Sequence, residues 1–96
     1  MKAHLERFIR FLAAEKGLSA AYQLSVRQTL EEFARFLGTE DADLSRVDIG
    51  TLTEFLRHLQ ARGMARSSMR VEMVHLRIFF RWLAGMGMLE KDPSAF

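Results

Sequence analysis

The chain has 96 residues, enough for one domain with a modest core, and its 6 Gly and single Pro leave little room for a turn-rich architecture. The absence of cysteine excludes a disulfide framework and Cys-ligated zinc or iron–sulfur sites, and it fits a cytoplasmic protein. The formal net charge of +2 points to no partner by itself, while no apolar run approaches the roughly 20 residues of a membrane span. The opening MKAHLER is amphipathic and acid-bearing, unlike a signal peptide.

Apolar spacing predicts four helices in chain order and no strand. The first covers about 2–16, where Leu5, Phe8, Ile9, Phe11 and Leu12 share a face at 100° per residue, and Gly17-Leu18 ends it. Ser19 is the expected N-cap of the second, about 20–37, with Tyr22, Val26, Leu30, Phe33, Phe36 and Leu37 as its stripe and Gly38 as its stop. A polar, acidic loop follows over 39–46. Asp48 is placed to cap the third helix, which reaches about Arg62 with Ile49, Leu52, Phe55, Leu56 and Leu59 facing inward. The fourth is expected to start at Ser67 or Ser68, both capable N-caps, and to reach Ala84 before Gly85-Met86-Gly87 breaks it. Asp92-Pro93-Ser94 has the composition to open one further helical turn. The expected architecture is an all-α four-helix bundle in a single domain, 1–96.

The fourth helix differs from the others. Val71, Ile78, Trp82, Phe79, Leu83, Leu76, Met69, Phe80 and Met73 cover roughly 220° of its wheel, so it is expected to lie at the centre of the bundle. Arg66, Arg70, Arg77 and Arg81 fall within about 60° of one another and form a single ridge, with Val74 beside them and Glu72, the only acid on this helix, on the far side. Residues 1–37 carry six basic and four acidic side chains, 38–62 three and five, and 63–96 five and three, so the middle is acidic and both flanks are basic. The ridge has two readings: a solvated face that keeps an apolar helix in water, or a row of guanidinium forks for phosphate oxygens. The backbone N–H groups following Ser19 and Ser67-Ser68, with Lys16 and Arg66 just before them, carry the same pair of readings, plain capping or phosphate binding.

Nothing assembles a catalytic, cofactor or metal site. His4, His58 and His75 lie on different predicted helices without ligand spacing. His75 faces the apolar arc and is read as a packed core residue, whereas His4 and His58 are read as exposed. Glu31-Glu32 and Glu40-Asp41 are read as solvated acids, and no phosphate-loop, dinucleotide or nucleophile-elbow motif is present. Tyr22 is either core or a hydroxyl presented at the rim.

The succession LERFIRFLAAEKGLS, LEEFARFLG, TLTEFLRHLQARG, SSMRVEMVHLRIFFRWL and GMLEKDPSA resembles the N-terminal SAM-like, core-binding domain of Xer-type tyrosine recombinases and phage integrases, over essentially residues 3–95. Leu76, Arg77, Phe79, Phe80, Trp82 and Leu83 carry the most specific part of the likeness. The resemblance implies one half of a clamp around duplex DNA, with the nucleophilic tyrosine and its partners on a separate C-terminal domain. The present chain would then be the positioning half of a larger recombinase, without catalysis of its own, and Tyr22 would not be the nucleophile. The implied partners are double-stranded DNA and other recombinase protomers, with no membrane, small-molecule substrate or cofactor.

In that family the second and fourth helices face the major groove. Carried to this chain, the likeness picks out Ser19, Tyr22, Gln23 and Arg27 on the second helix, and Arg66, Ser67, Ser68, Arg70 and Arg77 on the fourth. Lys16 joins them from the bottom-up reading. The chain departs from the family at Tyr22, Val26 and Thr29, where Thr, Tyr and Asp are frequent. It departs again at Val71, where Arg is frequent, and at Val74-His75, where a small Ser-Ala pair is frequent. A competing function is a helical module that docks neighbouring protomers through its acidic middle or its first helix.

Overall fold

The computed structural model describes residues 1–38 and 42–95. They are all-α, with four α-helices and no strand among the described residues. Helix α1 spans Lys2–Ala14, α2 Ala20–Leu37, α3 Ile49–Ala61 and α4 Arg66–Gly85, with a 3₁₀ turn over Leu44–Arg46. No helix among them is long and apolar enough to cross a membrane. The chain divides into two compact units, Met1–Ala42 and Asp43–Phe96.

In the first unit α1 packs on α2. Leu5, Phe8, Ile9 and Leu12 are buried from α1, and Val26, Leu30 and Phe33 from α2. Phe11, Phe36 and Leu37 are only half-buried, so the buried stripes are narrower than the apolar spacing implied. Two polar residues on α2 are buried as well. Thr29 Oγ1 donates to the Ser25 carbonyl one turn back at 3.4 Å. Glu32 is 8% exposed, which corrects its reading as a solvated acid; it lies one residue from Phe33, on the inward side of α2. Its expected companions Glu40 and Asp41 lie outside the described residues.

In the second unit α3 packs on α4. Its core is Leu44, Val47, Leu52, Phe55, Leu59, Leu76, Phe79, Phe80 and Leu83, with the Phe79 and Phe80 rings 5.4 Å apart. Asp48 caps α3 as expected, accepting from the Thr51 backbone N–H at 2.9 Å while Thr51 Oγ1 accepts from Asp48 N. The Thr51 backbone N–H, and then its hydroxyl, donate to the Asp48 carboxylate and hold it below its usual range. Ile49, expected to face inward, is 47% exposed because it is the first residue of the helix, where the chain has not yet turned onto the core. At the other end, Asp92 Oδ1 accepts from Ser94 N at 2.8 Å and the Ala95 N–H reaches the Asp92 carbonyl at 3.2 Å, closing a turn without a fifth helix.

Candidate nucleic-acid interface

The placement of α4 follows from the end of α3. Gly63 takes φ +84°, a left-handed conformation that costs an L side chain about 1–2 kcal/mol. Its N–H donates to the Gln60 carbonyl at 2.9 Å, and the Met64 N–H donates to Leu59 at 3.1 Å. This closure lets α4 start at Arg66, one to two residues earlier than expected. Ala65 occupies the N-cap position and has no side chain to cap with, so the expected caps Ser67 and Ser68 sit instead in the first helical turn, exposed. Among the described residues the first N–H groups of α4 are thus left without a side-chain acceptor.

Arg66, Arg70, Arg77 and Arg81 are all exposed on α4. Among the described residues no hydrogen bond or ion pair engages any of the four. The opposite face buries His75, Leu76, Phe79, Phe80 and Leu83. Burial lowers the pKa of His75, as expected of a packed imidazole kept neutral. Burial also raises the Glu72 carboxyl, against the opposing pull of Arg62, and its Oε2 is buried without a hydrogen-bond partner. Glu72 therefore does not neutralise the ridge. The apolar arc of α4 is narrower than the expected 220°, since Val71 is 49% exposed, while Val74, expected beside the ridge, is 51% exposed. Because valine is apolar, sequence periodicity alone placed Val71 inward; its departure from the family pattern was the available signal that the position is unusual.

Beside the ridge an open groove of about 790 Å³ runs between α3 and α4. Leu52, Leu56, Met69 and Met73 line its floor, Ile49 and Val74 its flanks, and Arg66, Arg70 and Arg77 its basic edge. The groove was not legible in the sequence, since Ile49, Leu52, Leu56, Met69 and Met73 read as core.

The residues around the start of α2 behave differently. Ser19 Oγ accepts from the Tyr22 backbone N–H at 3.2 Å, the expected N-cap. Gln23 Nε2 donates to the Leu18 carbonyl at 2.8 Å and so ties its side chain to the preceding loop. Arg27 makes a two-pronged pair with Glu6 of α1, its Nη1 on Oε1 and its Nη2 on Oε2 at 3.0 Å. That hydrogen bond is the main cause holding the Glu6 carboxyl below its usual range and raising Arg27. Lys16 is exposed, with Nζ 6.0 Å from the Phe11 ring centroid, and Tyr22 is half-buried. Thus Lys16, Ser19, Tyr22, Gln23 and Arg27 lie together in the first unit. Arg66, Ser67, Ser68, Arg70 and Arg77 lie along the first turns of α4 in the second.

What this arrangement can do is hold anions. Four exposed guanidinium groups, with Arg66 and Arg70 nearest the uncapped backbone donors at the helix start, match phosphate oxygens in shape and charge. Among the described residues no group of three or more His, Cys, Asp or Glu could hold a metal ion. His58 is exposed as expected, while His4 is half-buried and lowered chiefly by that burial.

The family model described as "Phage integrase, N-terminal SAM-like domain" matches residues 5–87. The chain is 32% identical over 92 residues to tyrosine recombinase XerD of Agrobacterium fabrum, covering 96% of this chain and 28% of that protein. It is 36% identical over 91 residues to tyrosine recombinase XerC of Vibrio parahaemolyticus, covering 94% and 29% respectively. The match to tyrosine recombinase XerC of Roseiflexus castenholzii is 33% over 95 residues, covering 98% and 30%. The chain therefore spans about 30% of the length of these relatives. No solved structure matches it significantly.

Proposed function

The chain belongs to the phage integrase N-terminal SAM-like domain family, and from that premise we propose that it binds duplex DNA as the arm of a site-specific tyrosine recombinase. It positions DNA, in the cytoplasm, for strand exchange by a separate catalytic domain and by neighbouring protomers. The carrying observation is the ridge of Arg66, Arg70, Arg77 and Arg81, exposed and unpaired on α4 among the described residues. Phosphate contacts of this kind supply the sequence-independent part of affinity and make it fall with salt. Residues 1–96 act as one DNA-binding domain in this reading, which takes Lys16, Ser19, Tyr22, Gln23 and Arg27 as the contribution of the first unit. Ser67 and Ser68 offer hydroxyls beside the arginines.

Fluorescence anisotropy with a labelled duplex tests the reading. The Arg70→Ala/Arg77→Ala variant is expected to keep its helical circular dichroism and to bind at least tenfold more weakly in low salt, with the log–log salt slope shallower by about 1.8, the equivalent of two phosphates. Unchanged affinity and slope would remove the arginine ridge from the account. The groove between α3 and α4 favours a second reading, a surface for a neighbouring protomer, because its apolar floor and half-exposed Ile49 suit a helix better than a phosphate.

A further inference from the structure

Val71 and Val74 lie three residues apart on α4, Val74 next to the Arg70 and Arg77 positions and Val71 about 60° further round the helix. Each is about half exposed, at 49% and 51%. The core of the second unit does not need them, since α4 buries His75, Leu76, Phe79, Phe80 and Leu83. Nor does the helix favour them, because valine is a poorer helix former than alanine or the long polar residues that usually cover such a face. Phosphate binding has no use for an aliphatic side chain either.

The major groove of duplex DNA offers one apolar feature, the C5-methyl of thymine, and small aliphatic side chains pack against it. Three residues of helix rise about 4.5 Å, not far from the 3.4 Å that separates stacked base pairs. Two valines three residues apart can therefore meet methyl groups on neighbouring or next-neighbouring pairs, while the flanking guanidinium groups hold phosphates. Glu72, the acid between them in sequence, points to the other side of the helix and leaves the face free of negative charge.

Resting on the DNA reading above, we infer that Val71 and Val74 are specificity-determining residues that favour A·T pairs by packing against thymine methyl groups. They add sequence preference to a helix whose arginines supply affinity.

The test is selection of bound duplexes from a randomised pool by the 96-residue chain in low salt, followed by replacement of the selected thymines with 2′-deoxyuridine, which removes only the methyl. The expected result is thymine at neighbouring selected positions and a loss of about fourfold in affinity per methyl removed, the equivalent of one buried carbon. Val71→Ala/Val74→Ala, which raises helix propensity and keeps the fold, is expected to bind thymine and deoxyuridine duplexes alike. Selection without a thymine preference overturns the inference. So does equal binding of thymine and deoxyuridine duplexes by the wild type, or an unchanged methyl dependence in the double variant. If arginine-dependent binding persists in those cases, the proposed function stands; if there is no arginine-dependent binding at all, both fall.

Discussion

The start of α2 and the outer face of α4 contain similar side chains in opposite states. On α2, Arg27 is clasped by Glu6, Gln23 reaches back to the Leu18 carbonyl, and the Ser19 hydroxyl caps its own helix. On α4, four arginines have no partner among the described residues and the helix starts without a side-chain cap. A polar group already satisfied inside the protein must break that bond before it can bind anything else, so it contributes mainly to shape. A group without a partner can exchange water directly for a phosphate. The same residue types are thus internally satisfied in one region and left available in the other.

The largest expected effect comes from reversing charge on the free side. Arg70→Glu/Arg77→Glu should weaken duplex binding by at least about a hundredfold, at about 1–3 kcal/mol per contact, with little change in thermal stability. Lys16→Glu on the α2 side should cost about tenfold or less in the same titration. Equal losses from both would erase the contrast.

The serines sharpen it through stability. Ser19→Ala should cost about 1 kcal/mol in urea unfolding, since it removes a cap. Ser67→Ala and Ser68→Ala should each stay within about 0.5 kcal/mol, because neither hydroxyl caps α4. If the α4 serines cost as much as Ser19, that helix end is capped after all.

The smallest effect concerns Arg27 and Glu6, whose side chains are 30% and 40% exposed. Glu6→Gln should destabilise by about 0.5 kcal/mol near neutral pH, a value kept small by solvent screening. Because the folded-state pKa of Glu6 is depressed, the pair's stabilisation is present above the ordinary carboxylate range and is lost as pH falls through the lowered value. The gap between wild type and Glu6→Gln should therefore close as pH falls below the ordinary carboxylate range when melting is followed by circular dichroism. A gap that stays constant with pH would mean that Arg27 is not engaged by an ionised Glu6.

Local chemistry was readable from the residues. Ser19, Asp48, Gly38 and Gly63 mark helix ends where the structure has them, since capping oxygens and left-handed glycines act within one turn. The ridge on α4 was readable too, because four arginines at helical spacing share a face whatever packs behind them. Pairing across the chain was not: Glu6 and Arg27 are 21 residues apart, and only the packing of α1 on α2 brings them together. Burial at the margins was also hidden. Val71 and Ile49 read as apolar and therefore inward, whereas the available core is filled by Leu52, Phe55, Leu59, Leu76, Phe79, Phe80 and Leu83. The start of α4 at Arg66 leaves no mark in the sequence, because Ala65 carries no capping group and serine's preference for N-cap positions favours a boundary at Ser67 or Ser68.

The central claim, that the free face of α4 meets DNA, is tested most directly by an NMR titration of the ¹⁵N-labelled chain with a short duplex at low salt. The account predicts that the largest amide shifts fall on residues 66–77, with smaller ones over 16–27, and that added salt reverses both. Shifts that spare 66–77, or that appear there only with a protein partner, would contradict it.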